Sequence, residues 1–124
     1  MSNIKILIVD DEAEFAATLA ERLDLRGFDT TVTNCGEDAL ASVISTPPDV
    51  VLLDLKMPDL GGLEVLEAIK QKDKNIEVIM LTGHGCTISG IEGMEHGAFD
   101  YLMKPVNLST LLEKIDQAYQ KKNR

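Results

Sequence analysis

The sequence has little with which to staple itself or to anchor itself. Its two cysteines, Cys35 and Cys86, stand in no metal-ligand or redox spacing, so neither a disulfide framework nor a thiolate metal centre follows from them. They read as reduced thiols of a cytosolic protein. Basic residues are outnumbered, 12 against 21 acids, for a formal net charge of −9. The basic footprint that nucleic acid or an anionic membrane demands is missing. No stretch approaches the roughly 18 apolar residues of a membrane span, and Met1 to Val9 is too short an apolar run for a signal peptide. The expectation is a cytoplasmic protein with no membrane or nucleic-acid partner. There is no Walker phosphate loop, dinucleotide fingerprint or Ser/His/Asp arrangement. His84 and His96 have no ligand spacing, and no repeat, linker or low-complexity stretch interrupts the chain.

What is present is an ordinary globular composition over 124 residues, 44% hydrophobic and 27% charged. That is one domain, 1–124, long enough to bury a core without staples. The organising stretch is Val50-Val51-Leu52-Leu53-Asp54. Four apolar residues, two of them β-branched, predict a fully buried strand. Asp54 then stands where a fifth apolar residue is the default. Pro58 and Gly61-Gly62 end the strand in a loop. A carboxylate at the mouth of a buried strand is costly unless something uses its charge.

Ile4 to Val9 predicts another buried strand, ending on Asp10-Asp11-Glu12. A helix follows with Phe15, Leu19 and Leu23 on one face, closed by Gly27. Phe28 to Thr33 is a polar edge strand. Asn34 is placed as an N-cap, with Glu37 as its capping-box partner. The helix behind it carries Ala39, Leu40, Val43 and Ile44 inward. The third helix runs from about Gly61 to Lys72, and Glu77 to Leu81 is a strand ending on Thr82-Gly83-His84-Gly85. A weak fourth helix, near Thr87 to His96, contains Gly90 and Gly93, with Ile88, Ile91 and Met94 as its inner stripe. Asp100 to Met103 is the last strand, closed by Lys104-Pro105. Asn107 caps a final helix with Leu108, Leu111, Leu112, Ile115, Ala118 and Tyr119 inward.

A βα unit repeated five times predicts a parallel sheet covered on both faces, with ligands beyond the carboxyl ends of its strands. At that edge the pattern gathers Asp10, Asp11, Asp54, Thr82 and Lys104. Clustered carboxylates without His or Cys suit a hard cation, Mg²⁺ or Mn²⁺. A metal, an ammonium and a hydroxyl around a carboxylate suit a phosphoryl group, with Asp54 as nucleophile. Asp11 and Glu14 also have capping-box spacing, and capping coexists with metal binding.

These motifs resemble the receiver domain of two-component response regulators over essentially the whole chain. The likeness rests on Val9-Asp10-Asp11-Glu12, Leu53-Asp54-Leu55-Lys56-Met57-Pro58 with Gly61-Gly62, Met80-Leu81-Thr82-Gly83, and Lys104-Pro105. The resemblance implies a flavodoxin-like fold, a doubly wound α/β domain with strand order 2-1-3-4-5. It implies that Asp54 accepts a phosphoryl group from a phosphohistidine on a histidine kinase or a histidine phosphotransfer protein. Asp11, Asp54 and the Lys56 backbone carbonyl would ligate Mg²⁺, with Asp10 acting through water. Thr82 and Tyr101 would switch on phosphorylation, and Lys56, Gly83 and His84 would form the site rim. A cis Lys104-Pro105 bond is expected. The fourth helix, fifth strand and fifth helix would meet a downstream effector, or a second copy in a phosphorylation-dependent homodimer.

The reading is therefore a signalling switch that assists its own phosphorylation and dephosphorylation, and not an enzyme for a separate metabolite. It stands alone or forms the N-terminal receiver of a longer regulator. The rivals are a phosphorylation-independent scaffold and a Mg²⁺-dependent aspartyl-phosphate phosphatase. The second acid such phosphatases place two residues past the nucleophile is Lys56 here.

Overall fold

The computed structural model describes residues 4–55, 59–83 and 87–123. Five strands, β1 (Lys5–Val9), β2 (Asp29–Thr33), β3 (Val50–Asp54), β4 (Glu77–Thr82) and β5 (Asp100–Met103), alternate with five helices. These are α1 (Ala13–Asp24), α2 (Gly36–Ser45), α3 (Gly62–Lys72), α4 (Thr87–Glu95) and α5 (Leu108–Lys122). All pairings are parallel and the order is β2-β1-β3-β4-β5, as the resemblance implied.

Strand geometry sends successive side chains to opposite faces, and the two cores follow that alternation. Ile6, Ile8, Val50, Leu52, Ile79 and Leu81 pack with Ala16, Leu19 and Leu23 of α1 and Leu111, Ile115 and Ala118 of α5. Their neighbours Leu7, Val9, Val51, Leu53, Val78 and Met80 face Ala39 and Val43 of α2 and Val65, Leu66 and Ile69 of α3. A strand apolar at every position is thus satisfied on both sides. Each buried Leu or Ile adds about 2 kcal/mol of transfer free energy.

Three assignments from the pattern are corrected. Asn34 is not the N-cap of α2: that position is Cys35, without a side-chain cap bond. Asn34 instead donates to the Asp10 carbonyl at 2.8 Å. The amides of Gly36 and Glu37 are taken by the two oxygens of Asp59, each at 3.0 Å, from the loop after β3. Those bonds hold the Asp59 carboxyl below its usual range. Ile44 is 62% exposed, because α2 turns the Gly36, Ala39 and Val43 side to the sheet and Ile44 falls about 100° away. Ile91 and Met94, at 52% and 43% exposure, are not an inner stripe either. Gly93 is the buried position, and its missing Cβ is what lets α4 lie on Met80, whose Cε would be 2.1 Å from that atom. The Ile88 side chain lies outside the description.

Gly27 closes the turn after α1 at φ 91°, and Asn107 caps α5 by accepting from the Thr110 amide at 3.0 Å. Both match the sequence reading, as does the cis Lys104-Pro105 bond.

Gly62, at the start of α3, is a further constraint. A Cβ there would sit 2.6 Å from the Leu55 Cα and 3.0 Å from the Asp54 carbonyl, backbone that has no room to yield. Gly62→Ala is expected to lower the unfolding free energy by about 1–3 kcal/mol in urea titrations.

Candidate functional site

The strand registers bring the predicted residues together at the carboxyl edge. Val9 pairs with Leu53, Asp54 with Leu81, and Thr82 with Met103. Asp10, Asp54, Thr82 and Lys104 therefore leave neighbouring strands at stepped levels of one edge. Asp10 is fully buried, Asp54 is 6% exposed, and Asp11 is exposed above them. One carboxylate oxygen from each of Asp10, Asp11 and Asp54 lies within 4.8 Å of the others.

Lys104 answers that charge. Its Nζ donates to Asp10 Oδ2 and to Glu12 Oε1, both at 2.8 Å, and lies 3.8 Å from Asp54 Oδ1. The ring of Phe15 lies beneath it, with the centroid 4.6 Å away. Burial pushes the ammonium pKa down, but the bonds to Asp10 and Glu12 and the charges of Asp10 and Asp54 outweigh it and the pKa is raised. The hydrogen bond from Lys104 and its charge hold the Glu12 carboxyl below its usual range, against slight desolvation.

The backbone fixes these groups. The Lys104 amide donates to the Thr82 carbonyl at 2.7 Å, and the Asp10 amide to the Thr33 carbonyl at 3.1 Å. Asp10 Oδ1 accepts from the Glu12 amide at 2.9 Å, so Asp10 supports the start of α1 as well as Lys104. The cap that the Asp11–Glu14 spacing allows does not form: Glu12 is the N-cap, without a side-chain cap bond.

Thr82 is 1% exposed and its Oγ1 finds no hydrogen-bond partner among the described residues. A buried unpaired hydroxyl costs about 1–3 kcal/mol and asks for a ligand to explain it. Tyr101 is half-buried against the α2–α3 side of the core. A Cβ on Gly83 would meet nothing within 4 Å among the described residues. Lys56 and His84 lie outside the described residues.

The sequence reading missed Glu12 as a partner of Lys104 and Asp59 as the cap of α2. Glu12 had one signal, its place in a run of three acids. Asp59 had none, because it caps a helix 22 positions away.

The fold and this edge define a class: a doubly wound α/β domain that presents an acidic pocket and a lysine at its topological switch. The chain belongs to the response regulator receiver domain family, whose model matches residues 6–116. Over 114 residues it is 35% identical to the regulatory protein LuxO of Vibrio cholerae, covering 92% of this chain and 25% of LuxO. Over 111 residues it is 39% identical to the DNA-binding response regulator MtrA of Mycolicibacterium paratuberculosis, covering 90% of this chain and 49% of MtrA. The chain thus spans about a quarter to a half of these relatives. Among solved structures it is similar to a CheY-like receiver domain protein from Methanospirillum hungatei, with TM-score 0.93, 30% identity and 98% of each chain covered. A receiver domain protein from Clostridium thermocellum matches with TM-score 0.92 and 34% identity, over 97% of each chain. No helix among the described residues is long and apolar enough to cross a membrane.

Removing Lys104 leaves the buried Asp10 carboxylate without its cation. Lys104→Met is expected to cost about 3 kcal/mol in metal-free buffer by urea denaturation. Because the folded pKa of Lys104 is raised, its contribution is complete below the ordinary lysine range, about pH 10, and is lost as pH rises through the folded value. The wild type should lose that increment on alkaline titration, and Lys104→Met should not.

Proposed function

We propose that this receiver domain is a phosphorylation-dependent switch of a two-component phosphorelay, with Asp54 as the phosphoacceptor. The observation that carries the reading is the group around Asp54: two further carboxylates, a lysine ammonium and a buried hydroxyl without a partner among the described residues. An Asp54 oxygen attacks phosphorus of a phosphohistidine donor, the donor N–P bond breaks, and the departing imidazole takes up a proton. Lys104 neutralises charge on the transferring oxygens, and the Thr82 hydroxyl donates to one of them.

The donor set fits Mg²⁺ or Mn²⁺: oxygen ligands only, a compact cluster, and an exposed Asp11 that leaves room for retained waters. Asp11, Asp54 and the Lys56 carbonyl would hold the ion, with Asp10 acting through water. When bound, the ion supplies positive charge to the phosphoryl oxygens. Asp10 and Lys104 hold the pocket's shape in either case.

The histidine-bearing donor, a kinase or phosphotransfer protein, approaches this edge past Gly83. Thr82 and Tyr101 carry the response towards the outer surface. Ile91 and Met94 of α4 and Met103 at the end of β5 are 52%, 43% and 50% exposed. That apolar exposure supports the α4-β5-α5 face as the surface that meets an effector or a second copy of the chain. The domain acts by binding and relay, in a cytoplasmic setting, and not by turnover of a metabolite.

Intact mass after incubation with acetyl phosphate and Mg²⁺ tests the reading. The wild type should gain one phosphoryl group, Asp54→Ala none, and a chelator added beforehand should prevent the gain. Equal uptake by Asp54→Ala would place the acceptor elsewhere.

A further inference from the structure

The N-cap and first turn of α1 carry two groups, Glu12 and Phe15, whose contacts with Lys104 the proposed chemistry does not use. Glu12 Oε1 reaches the ammonium at 2.8 Å across 92 positions of sequence, and the Phe15 ring lies under the same nitrogen, its centroid 4.6 Å away. The Glu12 side chain is 64% exposed. An ion pair in that setting adds next to nothing to stability, so its value has to be sought in where it holds Lys104.

An ammonium has three N–H donors on a flexible four-carbon stem. Asp10 Oδ2 takes one donor and Glu12 Oε1 another, leaving the third for the Asp54 side, where Oδ1 stands at 3.8 Å. With Asp10 alone, Nζ could swing about a single bond. Two acceptors and a ring beneath remove that freedom. The same contacts keep Nζ beyond hydrogen-bond distance of Asp54 Oδ1, so the ammonium does not occupy that oxygen.

We infer that the start of α1, its N-cap and first turn, is a cradle for Lys104, and that Glu12, with Phe15 beneath, is a positioning residue that sets where the ammonium meets the phosphoryl group. The inference rests on the reading of Asp54 as phosphoacceptor. Glu12 has an opposing effect, since it adds negative charge that repels an anionic donor. Salt separates the two effects: at 1 M the screening length falls to about 3 Å, which suppresses the repulsion and leaves positioning in place.

The test uses Glu12→Gln, Glu12→Asp and, as a control on the same turn, the exposed Glu14→Gln. In metal-free protein, ¹⁵N NMR of the Lys104 side-chain ammonium should show hydrogen exchange about fivefold faster in Glu12→Gln. Exchange in Glu12→Asp should be close to wild type, and Glu14→Gln should be unchanged. In about 1 M KCl, with acetyl phosphate and Mg²⁺, Glu12→Gln should gain its phosphoryl group about fivefold more slowly than wild type. Glu12→Asp should recover most of that rate, and Glu14→Gln should match wild type. An unchanged ammonium signal in Glu12→Gln, or a rate in high salt that equals or exceeds wild type, would overturn the cradle. A wild type that takes up no phosphoryl group while its Lys104 signal still responds to Glu12→Gln would strike the assignment of Asp54 instead, and with it the task given to Glu12.

Discussion

Like charge gathered at the ends of β1 and β3 is the constraint on which the rest of the molecule depends. Asp10 is fully buried and Asp54 nearly so, and Asp11 completes a cluster with oxygens within 4.8 Å. Carboxylates at that spacing repel, and the repulsion grows as water is withdrawn. A fold with only stability to satisfy would fill such a position with apolar side chains, which are commonly as good as or better than a buried ion pair. Here the sheet instead brings Lys104 from 94 positions away to Asp10. The placement of β5 beside β4, with the Lys104 amide on the Thr82 carbonyl, delivers that ammonium to the edge.

The surrounding loops are tied so that the charges cannot simply move apart. The Asn34 side chain holds the Asp10 carbonyl, and Asp59 grips the first amides of α2. Gly62 lets α3 start directly against the backbone of Leu55 and Asp54. The first two ties join segments distant in sequence, the third is local, and together they ring the acidic pocket. The two apolar cores beneath hold the strands in register on both faces, so the electrostatic cost is confined to the edge.

This division explains what could be read from the sequence. Buried strands declare themselves as short apolar runs, and the acids, threonine and lysine that end them stand out for being in the wrong place for a core. Fold class, strand order and the set Asp10, Asp11, Asp54, Thr82 and Lys104 followed from those two signals together with the family's motifs. Helix faces were less legible. Ile44, Ile91 and Met94 have apolar side chains at plausible spacings yet are exposed, Ile44 because it falls about 100° from the Ala39 and Val43 side, Ile91 and Met94 because Gly93 is the position that packs on Met80. Periodicity counts hydrophobes and is blind to a helix that docks through a glycine. The Glu12 contact and the Asp59 cap were illegible for a different reason. Both pair a local polar group with a partner far along the chain, and only the closed fold sets that distance.

The same features bear on how α4 would carry the proposed response. It is the shortest of the described helices, at 9 residues, and it exposes Ile91 and Met94 beside Glu92 and Glu95. Among its described contacts with the sheet is Gly93 on Met80, a flexible thioether. Such a contact defines position less sharply than interlocked branched side chains do. Met80 lies two residues before Thr82, the group whose hydroxyl is buried without a partner among the described residues. Satisfying that hydroxyl with a phosphoryl oxygen would act on the strand that also supports Gly93. The buried hydroxyl and the Gly93 contact thus share one strand, and a proposed two-state element would act through that strand.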